Sequence, residues 1–165
     1  MRLAITDVHY QGRAGCAAAV IADAWEAQFP RSTHAALVMP VADYEPGAFW
    51  KRELPCLRAV LDGLAPTVVV VDGYVWLDAE GRPGLGAHLH DALGVPVVGV
   101  AKTPFAGSPH ARTVARGASA RPLWVTAIGL DPDQAAASVR RMHGPHRIPT
   151  LLQLADGLAR AGRAR

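Results

Sequence analysis

The chain has 165 residues, half of them apolar and 6% aromatic, and a formal net charge of +3. That length supports one compact domain with a real core, and the mild basic excess permits a polyanionic partner without demanding one. No apolar run reaches the length of a membrane span, and Cys16 and Cys56, far apart and without CxxC spacing, read as two reduced thiols and argue against a disulfide framework or a zinc site.

Residues 2–8 have the length and composition of a strand, with Leu3 and Ile5 alternating against small or polar neighbours. A turn from Gln11 to Gly15 leads to a small apolar run, 16–21, which reads as a second strand. Residues 29–33 are a turn and 35–41 a third strand, so the first third of the chain predicts an antiparallel meander. From Phe49 to Leu64 the period changes: Phe49, Leu57, Val60, Leu61 and Leu64 fit one face of a helix, with Pro55 in its first turn or at a kink. Four consecutive valines within 67–71 are typical of a strand buried on both faces.

A short helix over 84–93 and a buried strand over 95–101 follow. Residues 104–120 form a long loop rich in Gly, Ser and Arg, and 122–127 read as one more strand. A helix over 132–142 has Asp131 placed to cap it and Pro132 at its first position. A last helix covers 150–161, and 162–165 are expected to fray. The expected architecture is a single α/β domain over 1–161, its mixed sheet of five or six strands flanked by helices. Within the sheet, three antiparallel strands precede the parallel ones.

Three acids stand out. Asp7 falls near the end of the first strand, Glu53 early on the first long helix, and Asp72 directly after the valines, at the C-terminal end of a buried strand where sites collect in open sheets. Acids gathered at one point repel and call for a cation. All-oxygen donors with room for water suit Mg²⁺, with Mn²⁺ the alternative. The same positions also allow three unrelated acids that cap turns. Lys51 and Lys102 are the two lysines among seventeen basic residues. The arginine excess suits phosphate binding and is equally what GC-rich codons give. Arg112, Arg116 and Arg121 would either track phosphates from the long loop or simply solvate it.

The motifs around these residues resemble the endonuclease V family of metal-dependent nucleases that act at inosine. The matching stretches are Ile5-Thr6-Asp7-Val8-His9-Tyr10, then Tyr44-Glu45-Pro46-Gly47 leading to Phe49-Trp50-Lys51-Arg52-Glu53, then Val71-Asp72-Gly73. Further on come Pro83-Gly84-Leu85-Gly86-Ala87-His88-Leu89, Gly99-Val100-Ala101-Lys102, and Arg147-Ile148-Pro149-Thr150. They occur in the family's order and cover most of a short, divergent member. The resemblance implies a ribonuclease H-like fold, with Asp7, Glu53 and Asp72 as metal ligands. Lys102 would be a lysine beside the scissile phosphate. Tyr44, with Pro46 and Gly47, would be a wedge next to the modified base, and Gly73 would line the base pocket. The family usually has a His shortly after Val-Asp-Gly; here Asp78 stands in its place. Three roles stay open for Asp78: metal ligand or base, contact to substrate, or turn residue ahead of Gly81.

The expectation is therefore a metal-dependent, phosphodiester-cleaving hydrolase of DNA or RNA, acting near a deaminated purine, as in DNA repair. Two alternatives stand beside it: a nucleic-acid-binding protein with a degraded site, and a ribonuclease H-like nuclease indifferent to inosine. A monomer without membrane association is expected. Met1 to Asp7 lack a charged segment followed by a hydrophobic signal core, which points to the cytoplasm.

Overall fold

A computed structural model of the chain describes residues 1–162. Its first strand, β1 (Leu3–Gln11), turns at Gly12 and Arg13 into β2 (Ala14–Ala22), and Gly12 takes the positive φ of +58° that this tight turn requires. The strand β3 (Ser32–Val38) pairs antiparallel with β2, with Ile21 opposite Ser32 and Gly15 opposite Val38. It begins three residues before the run expected at 35–41. The helix α1 (Trp50–Leu61) has Pro55 in its second turn and is followed by β4 (Val68–Asp72), α2 (Leu85–Leu93) and β5 (Val97–Ala101).

The chain then crosses the expected loop, which contains a short strand, β6 (Arg112–Val114), before β7 (Leu123–Ile128). Two helices close the fold, α3 (Pro132–Arg141) and α4 (Thr150–Ala161). Asp131 caps α3 as its position predicts, accepting from the backbone N–H groups of Asp133 and Gln134. Of the segment expected to fray, Gly162 lies so close over Cys16 Sγ that a Cβ there would collide with the sulfur. Residues 163–165 lie outside the described residues.

Among the described residues the sheet has seven strands, in the order β3-β2-β1-β4-β5-β7-β6. This is one more than the largest number expected, because β6 extends the far edge. β1, β4 and β5 run parallel at the centre, and the outer strands are antiparallel to their neighbours. The helices cover both faces. α1 and α2 pack with Ala4, Val69 and Val71, while α3 and α4 pack with Leu3, Ile5 and Val70 on the opposite side. The alternation along β1 and β4 serves both cores, which is why the four valines read as one unbroken apolar run. Ala17, Ala18 and Ala19 of β2 are fully buried, and their small side chains let α1 and α4 both approach this strand. Among the described residues no helix is long and apolar enough to cross a membrane.

Candidate functional site

The register between β1 and β4 builds the site. Ile5 is paired with Val70, so two residues further on Asp7 and Asp72 emerge side by side from neighbouring parallel strands. By the alternation of the two strands, both carboxylates fall on the α4 face. Burial pushes the Asp7 carboxyl up to about 7, and the nearby charge of Asp72 adds to the rise; the Val8 N–H, 2.8 Å from Asp7 Oδ1, offsets part of it. Glu53 comes from α1 and is 6% exposed. Burial pushes it up to about 8, with Asp7 and Asp72 contributing by repulsion.

Lys102 follows the last residue of β5, and its Nζ donates to Asp72 Oδ2 at 2.8 Å. Burial works against its charge. The hydrogen bond from Nζ and the negative field of Asp72, Asp7 and Asp156 outweigh that cost and hold the ammonium above its ordinary value.

Asp156, on α4, is a fourth acid that the sequence reading did not single out. It shares a cavity of about 140 Å³ with Asp7, Asp72, Lys102, Leu152 and Gln153, and both oxygens of its carboxylate accept from Arg160 Nε at 3.0 Å. A signal existed: Asp156 is four residues after Leu152 and next to the buried Ala155, so it edges the helix's buried stripe. Arg147 stood out in the sequence only as part of a motif. Its guanidinium donates to the carbonyls of Lys102 and Pro122, tying the end of β5 to the approach to β7.

A second cavity of about 340 Å³ lies on the other side of Asp72. Tyr44, Gly47, Gly73 and Glu53 line it, with Phe49, Trp50, Tyr74, Arg82 and Phe105 completing much of the wall. Tyr44 is 63% exposed and tilts against Phe49 at a centroid distance of 6.2 Å. Pro46 is exposed in the turn beside Gly47. Trp50 stacks on His88 of α2 at 3.7 Å, holding the first turn of α1 where Glu53 starts its reach. Tyr74 directs its hydroxyl away to the Thr103 carbonyl and Ser108, leaving its ring for the wall.

Asp78 stands apart from the acids. Its Oδ1 accepts from the Arg82 backbone N–H at 3.0 Å and its Oδ2 pairs with Arg82 Nε at 3.2 Å, contacts that fit the turn residue among its three open roles. Two of the arginines named for the long loop, Arg116 and Arg112, are engaged within the protein. Arg116 is 6% exposed and donates to the carbonyls of Met142, Gly144, His146 and Arg147, and Arg112 pairs with Asp133. A roomier depression between the ends of α1 and α2 contains none of the four acids.

The donor set suits a hard divalent cation. Its groups are carboxylates; burial raises Asp7 and Glu53, and their mutual repulsion with Asp72 adds to the rise. Among the described residues no three His, Cys, Asp or Glu side chains are grouped closely enough to hold an ion as they stand. Asp7 and Asp156 open onto one cavity, Glu53 onto the other, and Asp72 onto both.

The family model and the sequence relatives name the same family. A family model described as Endonuclease V matches residues 2–129. The chain is 33% identical over 140 residues to Endonuclease V of Streptomyces avermitilis, covering 71% of this chain and 60% of that relative. It is 31% identical over 170 residues to Endonuclease V of Rhodospirillum centenum, covering 89% of this chain and 70% of that protein. The chain thus spans about 60% of the length of the first relatives it matches. The crystal structure of the S. avermitilis protein superimposes with a TM-score of 0.82 at 27% identity, over 99% of this chain and 82% of that one. Ciona intestinalis Endonuclease V, solved with a DNA containing an inosine followed by a ribo-adenosine, gives 0.78 at 18% identity over 99% and 85%, a likeness of fold. The architecture is accordingly the ribonuclease H-like α/β fold that the sequence led one to expect.

Proposed function

The chain belongs to the endonuclease V family, and from that we propose that it is a metal-dependent endonuclease cleaving a phosphodiester near a deaminated purine in DNA or RNA. The observation that carries the proposal is the place of Asp72 at the boundary between a charged cavity and an aromatic-walled one. The first suits a phosphate under attack, the second a planar base taken out of its stack.

Asp7, Asp72 and Glu53 would hold Mg²⁺ or Mn²⁺, with Asp156 opening onto the same cavity as the first two. The bound ion would supply an oriented, activated water and neutralise charge on the phosphate oxygens. The chain's own residues do the rest. Lys102, kept charged by Asp72, stabilises the negative charge that develops on the scissile phosphate. Tyr44, exposed at the rim, offers a face for stacking or wedging. Pro46 stiffens the wedge turn. Gly47 and Gly73, at positive φ of 78° and 137°, bring bare backbone to the base pocket.

Labelled DNA and RNA carrying a single inosine, incubated with and without Mg²⁺, test the reading alongside Asp72→Asn. Metal-dependent nicking at inosine that the variant loses supports it. Binding without nicking would replace it with a binding protein, and nicking that ignores inosine with a less selective nuclease.

A further inference from the structure

The geometry points to Arg82 as a grip for a nucleic-acid phosphate at the mouth of the aromatic cavity, aimed there by Asp78. The inference rests on the reading of that cavity as the base pocket. Among the described residues Arg82 is the one cation that lines it, and it shares that lining with two acids, Glu53 and Asp72. A polyanionic strand entering a mouth with that charge balance needs a positive partner, and Arg82 is placed to be it.

The turn that carries Arg82 is stiff. The Leu77 N–H donates to the Arg82 carbonyl at 2.9 Å, the Gly81 N–H to the Asp78 carbonyl at 3.1 Å, and Trp76 bridges to Pro83. Asp78 takes the backbone N–H and faces Nε, so among the described residues the terminal nitrogens are left for another partner. Nη1 reaches toward the wedge turn, 4.0 Å from where a Cβ on Gly47 would lie. The Arg82 side chain is about half exposed, so its ion pair with Asp78 is weak enough to share with an incoming phosphate. A planar guanidinium with both terminal nitrogens free to donate matches two phosphate oxygens at once. In this arrangement Asp78 is a positioning residue: it touches Arg82, not the substrate.

The test is fluorescence-anisotropy binding of a single-stranded oligonucleotide, with and without one inosine, over a range of salt. Ca²⁺ replaces Mg²⁺ during binding, and nicking is measured separately in Mg²⁺. Arg82→Gln is expected to lower the slope of log affinity against log salt by about 0.7, the loss of one phosphate contact on a single strand. Arg82→Lys should restore the slope. Asp78→Asn should weaken binding at an unchanged slope, and should have no further effect in an Arg82→Gln background. Arg58→Gln, on the far depression, should behave as wild type. Arg82→Gln with wild-type affinity and slope overturns the proposal, as does an equal loss of slope in Arg58→Gln, or a wild type that binds neither oligonucleotide. If nicking proves absent or blind to inosine while the slope still falls in Arg82→Gln, the grip stands and the proposed activity fails. If nicking is directed by inosine while the slope is unchanged, the activity stands and the grip fails.

Discussion

Lys102 Nζ and Asp72 Oδ2 are 2.8 Å apart, and they leave the ends of two neighbouring parallel strands, β5 and β4. The ammonium is the cation that Asp72 holds within the protein itself. Lys102→Met should therefore lower single-turnover nicking of an inosine substrate by about 10²- to 10³-fold, in the range seen when one donor to a developing oxyanion is removed. Unaltered turnover in Lys102→Met would make the residue a plain partner of Asp72.

Asp7 and Glu53 give a stability profile of definite sign. Both are carboxyls raised in the folded state, to about 7 and about 8, above the value of roughly 4 that they take when the chain is unfolded. The folded state thus holds protons that the unfolded state has released. Their contribution is fully present below pH ~4 and is lost as pH rises through about 7 and 8. In the absence of divalent ions the melting temperature should lose this contribution between those limits, and Asp7→Asn or Glu53→Gln should flatten the loss. A divalent ion that favours the ionised forms should raise the melting temperature more at pH 8 than at pH 5. Thermal melts with Mg²⁺ and with a chelator, across that range, check the sign.

Arg116 binds four carbonyls from the segment that connects α3 to α4. Truncation to methionine keeps apolar bulk and strands those acceptors. The expected cost is about 3 kcal/mol or more, since hydrogen bonds from a charged donor contribute about 1.5–3 kcal/mol each and do not add fully. Urea unfolding of Arg116→Met measures it, and a midpoint equal to wild type would show that solvent replaces the guanidinium.

Tyr44 presents the opposite case. Its ring is largely exposed, so Tyr44→Ala should leave the unfolding midpoint within about 0.5 kcal/mol of wild type. The same change should weaken binding of an inosine oligonucleotide by about 1–3 kcal/mol, the range for losing one stacked base. Equal affinity in a titration would remove Tyr44 from the pocket's working surface.

The order of elements was legible because the two periods were clean. The valines before Asp72 and the alternation of Leu3 and Ile5 mark strands that carry acids: Asp72 ends β4, but β1 runs on to Gln11, so Asp7, expected near its end, lies at its middle. Features that depend on distant partners were not. β6 is three residues long with only Val114 buried, too short to show a period. β3 was misplaced because its pairing with β2 is held by backbone bonds, and its side chains alternate only between exposed and half-buried. Asp156 reads as a solvated helix charge until α4 is laid across β1 and β2. Arg116 reads as a loop charge until residues 26 to 31 positions away bring their carbonyls around it. Asp7, Glu53 and Asp72 could be nominated from motif order. That Glu53 faces one cavity and Asp7 the other, with Asp72 between, follows from the side of the sheet each element packs on.

Under the proposed function, that shared position of Asp72 would make the last residue of β4 a ruler. A strand that seats a base in the aromatic cavity and its backbone in the charged one has the interval between them set by a single side chain, on a strand hydrogen-bonded on both flanks. On that same proposal, the offset from the seated base to the bond beside Asp72 would be written into the sheet.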